Sequence, residues 1–140
     1  MRHTVAQLAP HQYYEQTDAG LVVREYDADE LRSGKLAAVA AWRESMESKP
    51  VEFAGHLFDF DAESRSRVST IALAGMGSPT GNWTTADNVD VPADAGFMQG
   101  LFAAMIQRTG NTHKAQRRMK TELAALTDAA AIAAYEVPQC

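Results

Sequence analysis

The chain has 140 residues, a net charge of −5 and a hydrophobic fraction of 46%, values that fit one globular domain of ordinary size. The negative charge argues against a general nucleic-acid binder, because affinity for phosphates comes from a basic surface. No run of 18 apolar residues occurs, so no transmembrane helix is expected, and the opening residues lack the apolar core of a secretory signal. The single cysteine, Cys140, is predicted to be exposed and incidental.

The N-terminal residues 1–30 are predicted to form a leader followed by a β-hairpin. Residues 13–16 and 21–26 are rich in β-branched and aromatic side chains, and they flank a turn in which Gly20 can take a positive φ. An isolated pair of strands is marginal in water, so we expect this hairpin to need a surface on which to lie.

A first helix is expected to begin at Asp29, which suits an N-cap, and to stop at the Lys49-Pro50 pair. Its inner face is predicted from apolar residues that recur three or four positions apart. These residues are Leu36, Val39, Trp42 and Met46.

The middle of the chain is predicted to hold two more hairpins on either side of a second helix. Residues 51–60 fit two short strands around a turn centred on Gly55, and residues 83–91 fit two strands around a turn at 86–88. Asp61 suits the N-cap of the helix between them. The inner stripe of that helix is predicted to be Val68, Ile71 and Ala72, with Ala74 as a further candidate.

The last third is predicted to be helical, with Asp94 as its N-cap. One face persists through it at steps of three and four residues. Its members are Met98, Leu101, Met105, Thr109, Thr112, Gln116, Met119, Leu123 and Leu126. Two interpretations remain open: a single helix of roughly 33 residues, or a helical hairpin that breaks at Gly110-Asn111. The unbroken period favours the single helix.

A last short helix, capped by Thr127 or Asp128, is expected to run to about Tyr135. Three hairpins with three to four helices predict an α+β fold, in which short antiparallel hairpins pack on the helices and the long helix is C-terminal. The predicted boundaries are 1–30 for the leader and hairpin and 31–140 for the α+β domain.

The residues do not predict an enzyme. His56, Asp59, Asp61 and Glu63 superficially imitate a calcium loop, but that loop needs a glycine at its sixth position and a glutamate at its twelfth. Serine and threonine stand there in this chain. Capping and the helix dipole explain Asp61 and Glu63 better than a metal does. No G-x-S-x-G occurs and the four histidines fall in different elements, so no catalytic residue, cofactor or metal is expected.

Two basic clusters stand out in this acidic chain. Arg65 and Arg67 flank a serine at the start of the second helix. The second cluster lies on the long helix and is either a solvated face with intrahelical pairs, for example between Lys120 and Glu122, or an electrostatic dock for an acidic partner. No aromatic residues interleave with these charges, which makes nucleic acid a poor fit. The candidate partner-binding residues are His113, expected to be partly buried or to face the partner, and Lys114, Arg117, Arg118 and Lys120.

The segments Trp42-Arg43, 51–61, 64–68 and 83–88 together resemble a phage family of domains of unknown function. That family shows a tryptophan helix, a segment of the form v-x-f-x-G-x-x-f-d-a-D-x-x-S-x-x-r-I, and later a W-x-x-x-D-N hairpin. The three features occur here in the same order, and the resemblance covers residues 31–135.

Members of the family occur in tailed phages and prophages, often beside tail-fibre genes. The resemblance therefore implies a non-catalytic accessory that binds a tail or tail-fibre protein as an assembly factor or chaperone, in the cytoplasm of the host bacterium. The alternative is a minor structural tail or baseplate component of the virion. We also expect self-association, since the domain is small and its long helix is exposed. No membrane partner is expected.

The shared residues have sufficient structural explanations, and we call them the signature residues: Trp42, Gly55, Asp61, Ser64, Arg65, Trp83, Asp87 and Asn88. The glycine turns a hairpin, the first aspartate caps a helix with support from the serine, and the tryptophans fill the core. Asp87 and Asn88 can satisfy turn amides, and Asp87 can also pair with Arg65 or Arg67. The sequence thus predicts that binding occurs elsewhere, on the long helix.

Overall fold

A computed structural model describes residues 7–139, and within them it has four helices and three two-stranded antiparallel hairpins. In chain order the elements are β1 (Gln12–Thr17), β2 (Gly20–Glu25), α1 (Ala28–Ser48), β3 (Val51–Phe53), β4 (His56–Phe58), α2 (Ala62–Leu73), β5 (Asn82–Thr84), β6 (Asp90–Pro92), α3 (Ala95–Ala125) and α4 (Ala129–Ala134). The predicted α+β class is confirmed. Residues 1–6 of the expected leader and Cys140 lie outside the described residues.

The described residues divide into two compact units. One consists of Gln116–Gln139 together with the described part of Met1–Trp42, and the other is Arg43–Ala115. The first contains the β1–β2 hairpin and α4, and the second contains the other two hairpins and α2. Both α1 and α3 contribute residues to each unit.

The core of the Arg43–Ala115 unit consists of side chains from α2, α3 and the residues of its two hairpins. Phe58, Phe60 and Val68 are fully buried here, and so are Met98 and Leu101 from α3. Burial of each such side chain stabilises the fold by about 1.5–3 kcal/mol.

The inner stripe predicted for α2 is confirmed at three of its four positions. Val68 and Ala72 are buried, and Ile71 packs against the core while partly exposed. Ala74 is exposed, and that part of the prediction is wrong. The reason is that α2 ends at Leu73, so Ala74 is its C-cap and no longer follows the helical stripe.

The core of the other unit contains Val39, Met119, Leu123 and Ile132, which are at most 2% exposed. Polar side chains from α1 close its edge. The guanidinium of Arg32 donates to the carbonyls of Leu123 (3.2 Å) and Leu126 (2.6 Å), and the Lys35 amine donates to the carbonyl of Tyr135 (2.7 Å). Cations are favoured at such a position, because the last carbonyls of a helix have no intrahelical donor.

The long helix α3 is continuous for 31 residues and passes through Gly110-Asn111 without a break. The single-helix interpretation is therefore confirmed. Most of its predicted inner face is buried, including the polar Thr112 and Gln116 in its middle. Thr109 is exposed instead, and its hydroxyl donates to the backbone carbonyl of Met105, four residues earlier on the helix.

Of the four predicted helix caps, two accept a helix N–H through their side chains, and one does not lie at the cap position. The Asp94 carboxylate accepts from the Phe97 N–H at 2.8 Å, and the Asp128 carboxylate accepts an N–H at the start of α4. Asp29 is not the cap of α1, because the helix already begins at Ala28. The Asp27 carboxylate accepts from the Asp29 N–H instead, and Asp29 forms an ion pair with an arginine one turn later.

Candidate partner-binding site

The turn of the β3–β4 hairpin explains the signature residue Gly55. Ala54 and Gly55 both have a positive φ, of 52° and 79°. Two such residues in succession form a type I′ turn, whose twist matches that of the flanking strands. The resulting register pairs Val51 with Phe58, and both side chains are buried in the core. Gly55 therefore sets the register of the hairpin.

Asp61 occupies the predicted N-cap position of α2. Its backbone is extended (φ −64°, ψ 165°) and its carbonyl accepts from the Arg65 N–H at 2.9 Å. No backbone N–H of the helix makes a well-formed capping bond to its carboxylate, although the N–H groups of Glu63 and Ser64 are near enough to stabilise its charge. The neighbouring Ser64 hydroxyl, together with nearby backbone groups, holds the pKa of Asp61 below its usual range. The predicted support from Ser64 thus acts on the carboxylate, while the helix start depends on backbone geometry.

The turn between β5 and β6 is held by Thr85, a residue that the sequence analysis did not single out. Thr85 is buried, and its hydroxyl accepts from the Val89 N–H at 3.0 Å while it donates to the Asp87 carboxylate. That hydrogen bond lowers the pKa of Asp87, and the charge of nearby His56 adds to the effect. Asn88 takes the left-handed conformation, with φ of 63°. The Asp87 backbone N–H also lowers this pKa, in line with the predicted role of Asp87 at a turn amide, whereas the Val89 N–H binds the Thr85 hydroxyl.

The two arginines of α2 have different surroundings. Arg67 forms an exposed ion pair with Glu63, one helical turn earlier. The guanidinium of Arg65 lies 5.0 Å from the centroid of the Phe60 ring, and its Nε is buried without a hydrogen-bond partner. Within residues 7–139 no ion pair joins either arginine to Asp87, so that expected contact is wrong.

The two tryptophans lie at the margins of the cores, where both are half-buried. Trp83 packs against the core of the Arg43–Ala115 unit, and Trp42 packs against the core of the other unit. Trp83 also lines a cavity of about 570 Å³ between α2 and the β5–β6 hairpin, whose walls are mainly serine, threonine and asparagine side chains. The prediction that the tryptophans fill the core is correct for their packing but not for full burial.

The candidate partner-binding residues all lie exposed on α3. At 3.6 residues per turn they cover an arc of about 160° that faces away from Thr112, Gln116 and Met119, the buried side of the helix. We call them the basic face: His113, Lys114, Arg117, Arg118 and Lys120. His113 is exposed, so the expectation that it is partly buried is wrong, and the alternative that it faces a partner stays a prediction.

Glu122 is the only acidic residue on α3, which carries five arginine and lysine residues. It pairs with Arg118 at 3.7 Å, and not with Lys120 as the sequence suggested. The Tyr135 hydroxyl also donates to Glu122, and burial together with this bond raises the pKa of Tyr135 to about 12. Lys114, Arg117 and Lys120 form no ion pair within the described part of the chain.

Two further observations concern the described residues alone. Among residues 7–139, no three histidine, cysteine, aspartate or glutamate side chains are grouped closely enough to hold a metal ion. In the same range, every helix is too short or too polar to cross a membrane.

The structure therefore defines an α+β protein in which turn and cap residues form the signature and a long helix carries the basic face. The chain belongs to the family described as a domain of unknown function (DUF4376), whose model matches residues 30–137. That range contains all the signature residues and the whole of α3. No curated protein and no solved structure matches the chain. Membership in a family of unknown function is thus confirmed, while the association with phage tails stays a prediction.

Proposed function

We propose that this protein is a non-catalytic accessory of a phage or prophage tail, an assembly factor that binds a tail or tail-fibre protein through the basic face of α3. The observation that carries the proposal is the set of exposed cations without an acidic partner, Lys114, Arg117 and Lys120. The biological setting comes from the resemblance of the signature residues to a family found in tailed phages.

The spacing of these cations supports a binding role. Lys114 and Arg117 are three residues apart, as are Arg117 and Lys120, so their charges are neighbours on the helix surface. Each like-charged pair destabilises a helix by about 0.2–0.5 kcal/mol. An acidic partner would remove this repulsion and would be attracted to the face during encounter. The surrounding chain is acidic, which makes the face distinct from the rest of the surface.

The signature residues support a role without catalysis. Gly55 sets a hairpin register, Asp61 starts a helix, and Asp87 holds a turn through Thr85. These structural duties account for three of the residues that carry the resemblance. The basic face of α3 contains none of the signature residues.

The test is a particle assay in the phage or lysogen that encodes this chain. The gene is deleted and complemented with the wild type, with K114Q/R117Q/K120Q, or with R24Q/R43Q/R67Q as a control. The control removes three exposed cations elsewhere, each of which forms a surface ion pair, so the two variants have the same net charge. An exposed ion pair between α3 and the partner is worth about 0.2–1 kcal/mol. The loss of three such pairs in K114Q/R117Q/K120Q should therefore weaken binding by about tenfold.

We expect the deletion and the α3 variant to lower the number of fibres per particle, while the control restores it. We also expect mass spectrometry to find the protein absent from purified particles. Its presence at fixed stoichiometry would assign it to the virion as a minor tail or baseplate component. Normal particles after deletion would refute both roles.

A further inference from the structure

An open pocket of about 630 Å³ lies between α2 and α3 in the Arg43–Ala115 unit. Its α3 wall is apolar and includes Phe102, Met105 and Ile106, and the last of these is 55% exposed. Gly110 ends this wall, and no atom lies within 4 Å of the place where a Cβ would stand. The volume falls within the range of about 300–1,000 Å³ that is typical of ligand sites. The pocket is thus an accessible apolar site with room at one end.

The cation on the opposite wall is Arg65, the signature arginine for which the fold provides no polar partner. Its Nε is buried without a hydrogen bond, although the ring of Phe60 lies against the guanidinium. A buried donor left without an acceptor destabilises a fold. Arg65 lines the pocket, so its positive charge lies beside any acceptor that enters.

Arg108 shows what a structural arginine does in the same neighbourhood. Its guanidinium also lies near the Phe60 ring, at 5.2 Å, but it donates to the carbonyls of Met46, Lys49 and Pro50 at 2.7–3.3 Å. It thereby satisfies backbone acceptors at the end of α1 and in the residues that follow. Arg65 makes no such bond in the described chain, so its charge remains available to a ligand.

The chemistry of the pocket selects a carboxylate that is attached to an apolar group. A guanidinium presents its donors in a planar fork that fits the two oxygens of a carboxylate. The apolar side chains of Phe102 and Ile106 on the α3 wall offer a surface for an aliphatic or aromatic side chain. An acidic residue next to an apolar one in a protein segment has both groups.

We propose that this pocket anchors an acidic and apolar peptide segment of the partner protein, with its carboxylate on Arg65 and its apolar side chain against Ile106. A segment is favoured because the exposed stripe of α3 continues from Ile106 through Gly110 to His113, at steps of four and three residues. A chain that lies along this stripe would contact the pocket and the first residue of the basic face together. The inference rests on the proposed function, because it requires a protein partner.

The test uses the full chain and two hexapeptides with blocked ends, one of alternating leucine and glutamate and one of alternating leucine and glutamine. Methyl NMR signals of Met105 and Ile106 report binding at the pocket. We expect the glutamate peptide to shift both signals and to bind about tenfold more tightly than the glutamine peptide. R65Q should abolish this preference, whereas R67Q, which removes a neighbouring exposed cation, should preserve it.

Ile106→Ala provides a second variant that leaves the core intact, since the side chain is more than half exposed. It should weaken both peptides to the same degree. Equal affinity for the two peptides, or equal losses in R65Q and R67Q, would overturn the inference. Shifts caused by octanoate when neither peptide binds would assign the pocket to a free aliphatic carboxylate and also overturn it.

The particle assay separates this inference from the proposed function. If deletion of the gene impairs particles while the peptides fail to bind, only the pocket assignment falls. If the glutamate peptide binds as expected while deletion leaves particles normal, the proposed function falls and the pocket remains an acidic-peptide site.

Discussion

Alanine substitutions at Gly100 and Gly110, two glycines of the same helix, should change stability in different directions. In a helix interior alanine is favoured over glycine by about 0.5–1 kcal/mol. A Cβ on Gly110 meets no atom within 4 Å, so Gly110→Ala should raise the free energy of unfolding by that full amount. A Cβ on Gly100 would lie 2.5 Å from Cζ and 3.0 Å from Cε2 of Phe53. Gly100 is therefore the place where α3 makes room for an aromatic ring.

The Phe53 ring would have to move by about 1 Å to restore an ordinary carbon–carbon distance of about 3.5 Å. Its movement is limited because it also packs edge-on against Phe97, at a centroid distance of 5.2 Å. Extra volume in a packed core destabilises by about 1–3 kcal/mol. After the gain in helix preference, Gly100→Ala should lower the free energy of unfolding by about 0–2 kcal/mol. The two variants should thus differ by about 1–3 kcal/mol, or roughly 3–10 °C in melting temperature.

Urea unfolding followed by circular dichroism and tryptophan fluorescence measures this difference. Gly34→Ala is a control in α1, where a Cβ again meets open space, and it should be stabilising like Gly110→Ala. Phe53→Leu in the Gly100→Ala background removes the ring atoms that clash and should reduce the loss. Equal stabilisation at Gly100 and Gly110 would refute the close approach of the ring. A destabilised Gly110→Ala would contradict the continuous helix.

Three other predictions concern a cap and two titrating groups. Asp94→Ala should lower the free energy of unfolding by about 0.5–2 kcal/mol, and Asp94→Asn by less; an unchanged urea midpoint would contradict the cap. Thr85 lowers the pKa of Asp87, so the stability that this carboxylate contributes is fully present above the usual carboxyl pKa and is lost as the pH falls through the folded value. In Asp87→Asn the melting temperature should depend less on pH in this range. The pKa of Tyr135 is raised from its usual value of 10.0 to about 12. The stability that its protonated hydroxyl contributes is therefore fully present below pH 10.0 and is lost as the pH rises through about 12. In a pH titration followed by phenolate absorbance, one tyrosine should ionise at a higher pH than the usual pKa of 10.0, and at a lower pH in Glu122→Gln than in the wild type. Ionisation of every tyrosine near pH 10.0 would contradict this prediction.

Most of the fold could be predicted from the sequence, because periodicity and turn chemistry are local. The steps of three and four residues from Met98 to Leu123 marked the buried side of α3 correctly. They also decided that the helix continues through Gly110-Asn111. The helix preference lost is about 1 kcal/mol for the glycine and at most about 0.7 kcal/mol for the asparagine, which is less than the gain from burial of the flanking apolar side chains.

The pairing of side chains could not be predicted, because it depends on neighbours that are remote in sequence or compete within one turn. From the sequence, Asp87 was a plausible partner for either Arg65 or Arg67. Only the structure shows that Arg67 takes Glu63 while Arg65 lies against Phe60 without a polar partner. The same holds for Glu122, whose spacing allowed several cations and whose actual partner is Arg118.

For this protein the sequence alone determined the α+β class, the order of the elements and the position of the basic face, since each follows from spacing along the chain. The tertiary structure decided which charges are free. In the folded chain Arg65 lies at an apolar pocket, and the Thr85 hydroxyl holds the β5–β6 turn. Glu122 binds both Arg118 and Tyr135. Free charge depends on three-dimensional neighbours, and for that reason the candidate binding groups emerged only once the chain was folded.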